Sequence, residues 1–313
     1  QALVEFQLPD GSFADHYFGA FWAPSYAAFA AEAFDRWIPE IPPELRRTAA
    51  GARDRAVGFL VAWSKTPGSK QCGAFNDPYA LMCLVRLGKK EAAQRVIRNI
   101  VGNQFADGNW SVYGPDRPTS FNTALAVMAL VRARTAGLEM PEKVIEKGAV
   151  ALEAMRQQDL FPYSTQIGHE WMTTNHGAIA RDSLCEYALT LAGCGSPGRL
   201  DGALGRFLEH HRELKAPTKH YYADFNHRGH GSYFFFFAHR HAIEAAERTQ
   251  DAELRQAVAC AVREAVLSAM ERDGTFLDHH MYGRAYGTAM ALCILSKCEE
   301  VSNREGDKNE GVK

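Results

Sequence analysis

Apolar residues follow two patterns along this chain, and both patterns are helical. Residues 124–130 and 288–295 are apolar at nearly every position, which is typical of a helix buried on all sides. Other segments place apolar residues at helical spacing with charged residues between them, which predicts helices with one exposed face. These amphipathic segments are residues 43–63, 89–101, 141–157, 200–211 and 251–270.

The two kinds of segment alternate with a period of roughly 50 residues, close to that of helical repeats. The starts of the apolar, inner helices are predicted near Pro24, Asp77, Ser120, Thr174, Gly231 and Gly283. Residues 2–6 are expected to be the last turn of a truncated first outer helix. We therefore predict an all-α protein, an (α/α)6 toroid in which residues 1–298 form a single domain. Residues 299–313 are charged and poor in apolar groups, which predicts a disordered tail.

A short turn recurs ahead of the inner helices. Residues 7–13 and 104–110 both read Gln-x-x-Asp-Gly-x-aromatic, and residues 270–276 repeat the turn without the glutamine. In an Asp-Gly turn the glycine supplies a positive φ and the aspartate accepts hydrogen bonds from nearby backbone amides. The aromatic residue is expected to pack between helices and to fix the turn.

The Gln-x-x-x-Gly-x-Trp/Phe pattern followed by an apolar helix is similar to the repeat of squalene and oxidosqualene cyclases. Protein prenyltransferase β subunits and many uncharacterised bacterial proteins share the same α/α toroid. The resemblance implies a closed ring of inner and outer helices around a central cavity, with the N-terminal ends of the inner helices lining its mouth.

Neither of the two best-known chemistries of these families has its motif here. Class II cyclases protonate an alkene with an Asp-x-Asp-Asp motif, and this sequence contains none. Prenyltransferases hold zinc with Asp, Cys and His in their late repeats. The equivalent turn here carries His230 and Ser232 where Asp and Cys would stand.

Two Asp-His pairs suggest a metal site or an acid/base cluster. Asp15–His16 and Asp278–His279 follow two copies of the Asp-Gly turn, in the first and last repeats. If the ring closes, these repeats are neighbours, and two imidazoles with two carboxylates could bind a divalent metal or transfer protons. The alternative is that the aspartates cap helices while the histidines pack on loops.

A second set of polar residues resembles the catalytic residues of polysaccharide lyases. In those enzymes Asn and His neutralise a uronate carboxylate, and a Tyr or His removes the adjacent proton. Segment 273–287 is similar to a segment of hyaluronate and chondroitin lyases. The candidate catalytic residues are Asn175, His176, His230, Tyr233, His279, Arg284 and Tyr286.

The composition of the chain argues against two classes of partner, nucleic acids and membranes. Lys and Arg number 35 against 37 Asp and Glu, a net charge of −2, too little positive charge for a nucleic-acid partner. No apolar run approaches the ~20 residues of a membrane span. The seven scattered cysteines include no C-x-x-C pair and are interpreted mainly as small buried hydrophobes. Because the sequence begins at Gln1 rather than Met, both a cytoplasmic and a secreted or periplasmic location stay open.

Three hypotheses for function follow. The first is a cyclase- or transferase-like toroid that takes an unidentified small molecule in its central cavity. The second is a lyase-like enzyme acting on an oligosaccharide by β-elimination. The third is a toroid without catalysis that binds a ligand or a protein, because a fold does not determine a function.

Overall fold

The computed structural model describes residues 1–13, 19–66, 70–164, 175–214, 235–278 and 282–303, with only the backbone of residues 19, 20, 70–72 and 175–177. Helices account for most of these residues, and no β-strand occurs among them. The inner helices are α2 (Gly19–Trp37), α4 (Lys70–Arg86), α6 (Ser120–Thr135), α8 (Asn175–Leu191), α10 (Phe235–Ala246) and α12 (Gly283–Asn303). The outer helices are α3 (Pro43–Trp63), α5 (Lys90–Gly102), α7 (Val144–Ala154), α9 (Pro197–His210) and α11 (Ala252–Ser268).

The inner helices form a closed ring. Each one packs against the next in chain order, and α12 packs against α2. The outer helices cover this ring, and a single turn of helix, α1 (Ala2–Glu5), contacts α3 and α12. The predicted (α/α)6 toroid is therefore confirmed.

Burial explains why the inner helices lack a polar face. In α6 every residue from Ser120 to Val131 is buried, because this helix touches the inner helices α4 and α8 and the outer helices α5 and α7 at once. In α5, by contrast, Ala92, Val96 and Ile100 are buried while the charged positions face solvent. None of the helices in the described part of the chain is long and apolar enough to span a membrane.

The Asp-Gly turns connect the two layers through backbone hydrogen bonds. The Gln104 side chain donates to the carbonyl of Gly108 in its own turn (3.1 Å) and to that of Val144, the first residue of α7 (3.0 Å). Gly108 has a φ of +93°, and a Cβ atom there would lie 2.5 Å from the carbonyl oxygen of Lys147. Glycine is thus required both for the turn and for the close approach to α7.

The aromatic residue of each turn is buried between the layers, as expected. Phe13, Trp110 and Phe276 are all almost completely buried. The Trp110 indole N–H donates to the carbonyl of Ile100 in α5 (2.7 Å), and its ring lies where a side chain at Gly148 of α7 would stand.

The chain end differs from the prediction. Helix α12 continues to Asn303, so residues 299–303 are helical rather than part of a disordered tail. The physical reason is that Val301 is buried against the core and Glu300 forms ion pairs with Arg36 of α2 and with Lys297. Residues 304–313 lie outside the described residues.

Candidate functional site

Aromatic side chains gather at the end of the toroid where the inner helices begin, which we call the mouth. Trp22 of α2 meets Phe75 of α4 with ring centroids 4.7 Å apart. Tyr286 of α12 lies 5.3 Å from Tyr26 of α2 and 5.2 Å from Tyr282. These five residues, the mouth cluster, bring α2, α4 and α12 together around the ring axis.

Part of the aromatic surface at the mouth is open to solvent. Phe21, next to Trp22, is 54% exposed, and Tyr113, on the loop before α6, is 50% exposed. Trp22, Phe75 and Tyr282 are only partly buried. Exposed aromatic rings grouped at one end of a protein commonly mark a binding site.

A second group of rings stands beside the mouth cluster. The hydroxyls of Tyr113 and Tyr163 are hydrogen-bonded at 2.9 Å. The Tyr163 ring contacts Phe121 of α6 at 5.2 Å, and the guanidinium of the buried Arg181 in α8 lies 5.6 Å from it. Phe121 of α6 and Arg181 of α8, both buried, therefore pack against Tyr163.

Deeper along the axis of the toroid, the packed aromatic rings contact charged residues. Tyr79 of α4 contacts Phe75 (5.2 Å) and Phe29 (4.5 Å). The Arg240 guanidinium of α10 lies over both Phe29 and Tyr79, at 5.1 and 5.8 Å from their ring centroids. Arg240 is the first member of a buried network that occupies the axis.

This axial ion network joins four inner helices. Arg240 of α10 pairs with Glu32 of α2 at 2.6 Å and with Glu244 of its own helix at 3.3 Å. Arg132 of α6 pairs with Glu244 at 3.1 Å and donates to the Tyr187 hydroxyl of α8 at 3.2 Å. Glu32 also pairs with Arg36 of its own helix at 3.1 Å.

The pKa values of the network follow from these pairings. Burial alone would raise the pKa of Glu32, but Arg240 and Arg36 lower it to about 2. In the same way, Arg132 and Arg240 outweigh burial and hold the pKa of Glu244 well below its usual range. Both carboxyl groups are therefore ionised at neutral pH, and both arginines are charged.

Three of the predicted site residues have described side chains. The Arg284 guanidinium donates to Asp273 and to the Thr275 hydroxyl (3.0 Å) of the third Asp-Gly turn. Tyr286 points instead into the mouth cluster and is buried, and burial together with the nearby Asp278 raises its pKa well above the usual range. The structure thus brings Tyr286 and Asp278 together and engages Arg284 elsewhere.

Asp278 is fully buried, and neither carboxylate oxygen makes a hydrogen bond of normal geometry. Burial raises its pKa well above the usual range, although the backbone N–H groups of Phe235 and Phe236, in the first turn of α10, favour its ionised form. Burial thus favours the protonated form of this carboxyl group more than exposure to water would. Its predicted metal-binding role stays a prediction.

The remaining predicted site residues fall where side chains are not described. Asp15, His16, His230, Tyr233 and His279 lie outside the described residues. Asn175 and His176 open helix α8, which is described there only as backbone. Their proposed roles, catalytic or metal-binding, stay predictions. Among described side chains, no group of three or more His, Cys, Asp or Glu residues is placed to hold a metal.

Sequence reasoning missed the axial ion network. Glu32 interrupts an otherwise apolar segment, residues 27–34, and Arg240 and Glu244 lie in a helix that begins with three phenylalanines and ends with two alanines. A charged residue on an all-buried helix requires a buried partner, and that signal could have identified them. The pairs Glu32–Arg240 and Arg132–Glu244 join residues that are far apart in sequence, so only the closed ring shows how they pair.

No family model and no curated protein sequence matches this chain. Solved structures do match, across nearly the whole length. The Lin0763 protein of Listeria innocua is 13% identical with a TM-score of 0.64, and the match covers 97% of this chain and 95% of that one. The likeness is one of fold.

Two other similar structures contain ligands. An inactive variant of the α-1,6-mannanase GH76A of Salegentibacter, in complex with α-1,6-mannotriose, is 12% identical with a TM-score of 0.61, covering 95% and 97% of the two chains. A variant of the type II terpene cyclase MstE from Scytonema, in complex with geranylgeranyl dihydroxybenzoate, is 13% identical with a TM-score of 0.55, covering 96% and 94%. The inactive mannanase is changed at two adjacent aspartates, and this sequence has no two adjacent aspartates.

Proposed function

We propose that this protein binds an oligosaccharide at the mouth of its toroid, with sugar rings lying on the partly exposed aromatic side chains. The observation that carries the proposal is the grouping of Phe21, Trp22, Phe75, Tyr113 and Tyr282 at that end, each at least partly accessible to solvent. Aromatic rings offer flat apolar faces, and tyrosines add polar groups at their edges. Sugar rings carry the complementary combination of apolar faces and hydroxyl groups.

The polar groups around the rings favour a sugar over an isoprenoid chain. Tyr113 and Tyr282 carry hydroxyls at the mouth and are at least partly exposed, and the Tyr113 hydroxyl is bonded to that of the buried Tyr163. An isoprenoid chain would cover such groups without replacing their contacts with water, which costs free energy for each group left unpaired. A sugar can exchange hydrogen bonds with them instead.

A second candidate is an isoprenoid ligand, supported by the similarity of the fold to the terpene cyclase that holds geranylgeranyl dihydroxybenzoate. This sequence lacks the Asp-x-Asp-Asp motif, so the candidate concerns binding and not class II cyclisation. The lyase hypothesis stays a separate prediction. Tyr286 in this buried environment is a neutral phenol, so a proton-abstracting role would rest on Tyr233 or the predicted histidines.

The test is a binding survey by isothermal titration calorimetry. The panel contains α-1,6-mannotriose, trisaccharides of other linkages, uronate oligosaccharides and geranylgeranyl diphosphate. We expect at least one oligosaccharide to bind, and Trp22→Ala to weaken it at least tenfold, or about 1.4 kcal/mol. Trp63→Ala, in the outer helix α3, is the matched control and should leave the affinity unchanged. Binding of the diphosphate alone would favour the second candidate, and binding of no sugar would refute the proposal.

A further inference from the structure

The exposed Tyr113 ring at the mouth is joined through its hydroxyl group to a buried tyrosine. Tyr113 lies on the loop before α6 and is 50% exposed, whereas Tyr163, on the segment that follows α7, is 7% exposed. Their hydroxyl oxygens are 2.9 Å apart, so one hydroxyl donates and the other accepts. The ring centroids are 6.2 Å apart with a tilt of 51°, so the two rings meet at their hydroxyl ends rather than face to face.

The Tyr163 ring is packed against side chains of the inner helices. The Phe121 ring of α6 contacts it with centroids 5.2 Å apart, and the Arg181 guanidinium of α8 lies 5.6 Å from its centroid. Both of these neighbours are themselves buried. A ring in a close-packed interior has little freedom to turn, so the Tyr163 hydroxyl keeps one position.

The backbone at Tyr163 is bound to two inner helices as well. Ser120, the first residue of α6, donates its backbone N–H to the carbonyl of Tyr163 (3.3 Å) and its hydroxyl to that of Pro162 (2.7 Å). Asp182 of α8 accepts a hydrogen bond from the backbone N–H of Phe161 (3.0 Å). Three successive residues are therefore tied to α6 and α8, which fixes the backbone that carries the Tyr163 ring.

Tyr113, by contrast, stands on an exposed stretch of its loop, where residues 115–117 are also exposed. Because Tyr113 is half exposed, packing alone does not set the direction of its ring, and the hydroxyl contact gives the ring a fixed point of attachment. We propose that Tyr163 is a positioning residue for the sugar site, whose hydroxyl group holds the Tyr113 ring in the orientation against which a sugar packs. This inference rests on the proposed function, because it names the residue that orients one ring of that site.

The experiment is a double-mutant cycle on the two hydroxyl groups. The probe is the trisaccharide of the binding survey with the highest affinity, beginning with α-1,6-mannotriose, and its affinity is measured by calorimetry. We expect Tyr163→Phe, which keeps the buried ring and removes its hydroxyl, to weaken binding about fivefold, because the released Tyr113 ring loses part of its contact with the sugar. In a Tyr113→Phe background, where the hydroxyl contact is already absent, the same change should have no further effect.

Two controls show whether the effect passes through Tyr113. In a Phe21→Ala background, which lacks a different exposed ring of the mouth, Tyr163→Phe should still weaken binding about fivefold, because the two sites are independent. Tyr187→Phe removes another buried tyrosine hydroxyl, which accepts a hydrogen bond from Arg132 in the axial ion network, and should leave the affinity unchanged. Thermal unfolding of each variant confirms that it is folded.

The outcomes separate this inference from the proposed function. If Tyr163→Phe binds the trisaccharide as tightly as the wild type does, or weakens it equally in the wild-type and Tyr113→Phe backgrounds, the positioning role is wrong while sugar binding stands. The role is also wrong if Tyr187→Phe weakens binding as much as Tyr163→Phe does, because the effect would then not be specific to the mouth. If the wild-type protein binds no member of the sugar panel, the proposed function and the positioning role both fail.

Discussion

Asp77 offers a sharp test of the packing beside the mouth, because replacing it with asparagine should stabilise the protein at high pH. Its side chain is 1% exposed, and neither carboxylate oxygen has a hydrogen-bond partner. It lies on α4 close to Gly73, in a space also approached by the Asn103 amide. A carboxylate cannot be solvated there, so its ionisation opposes folding.

The magnitude follows from the change in pKa. Burial raises the pKa of Asp77 from 3.8 to about 7. Because the folded-state pKa is the higher one, this group favours folding fully below about pH 4, and the contribution is lost as the pH rises toward 7. A difference of about three pKa units corresponds to about 4 kcal/mol at about pH 8. Asp77→Asn is neutral at every pH and avoids this cost.

The assay is urea unfolding followed by circular dichroism, at about pH 4 and about pH 8. We expect Asp77→Asn to exceed the wild type in free energy of unfolding by up to about 4 kcal/mol at the higher pH, and to equal it within about 1 kcal/mol at the lower. Asp116→Asn, at an exposed position on the loop before α6, is the control and should change neither value. An Asp77→Asn variant that is no more stable than the wild type at high pH, or whose advantage is the same at both pH values, would refute the reasoning.

Three more predictions concern stability and can be measured by the same unfolding experiments. Gly108→Ala should lower the free energy of unfolding by about 3 kcal/mol, because its Cβ would meet the backbone of α7. Gly88→Ala, at a positive φ with open space around it, should lower it by only about 1 kcal/mol. Equal losses would contradict the close approach of Gly108 to α7. Burial lowers the pKa of His239 to about 3. As the pH falls below about 6.5, the unfolded state therefore takes up a proton before the folded state does, and the free energy of unfolding should fall by about 2 kcal/mol between about pH 8 and pH 5. His239→Phe should remove that part of the pH dependence, and an unchanged pH dependence would contradict the assignment. Glu32→Gln should cost about 3 kcal/mol, because it leaves Arg240 buried with one partner fewer; a loss below about 1 kcal/mol would mean that the pair is not desolvated as the structure indicates.

The ring of helices was predictable because it depends on local patterns. All-apolar segments such as residues 124–130 can only be inner helices, and the Asp-Gly turns at Gly11, Gly108 and Gly274 all adopt the positive φ that the sequence indicates. The start of α6 at Ser120 matches the prediction. By contrast, the prediction places the start of α4 near Asp77, whereas the helix begins at Lys70. Pro78 lies inside this helix rather than in its first turn.

The candidate site was less predictable, because it depends on which distant residues the ring brings together. Arg284 and Tyr286 were grouped by their nearness in sequence. Side chains two positions apart on a helix point to different sides of it, and only Tyr286 reaches the mouth cluster. Tyr79 and His241 are separated by 162 residues, and no local pattern joins them. Their contact exists because α4 and α10 face each other across the closed ring.

The most direct test of sugar binding at the mouth is a crystal structure of the protein with α-1,6-mannotriose, or with the oligosaccharide that binds most tightly in the survey. We predict density for sugar rings against the partly exposed side chains of Trp22, Phe75 and Tyr282. Sugar density on the outer helices, or in the apolar groove beside Trp37 between α1, α2 and α3, with the mouth cluster bare, would contradict the central claim.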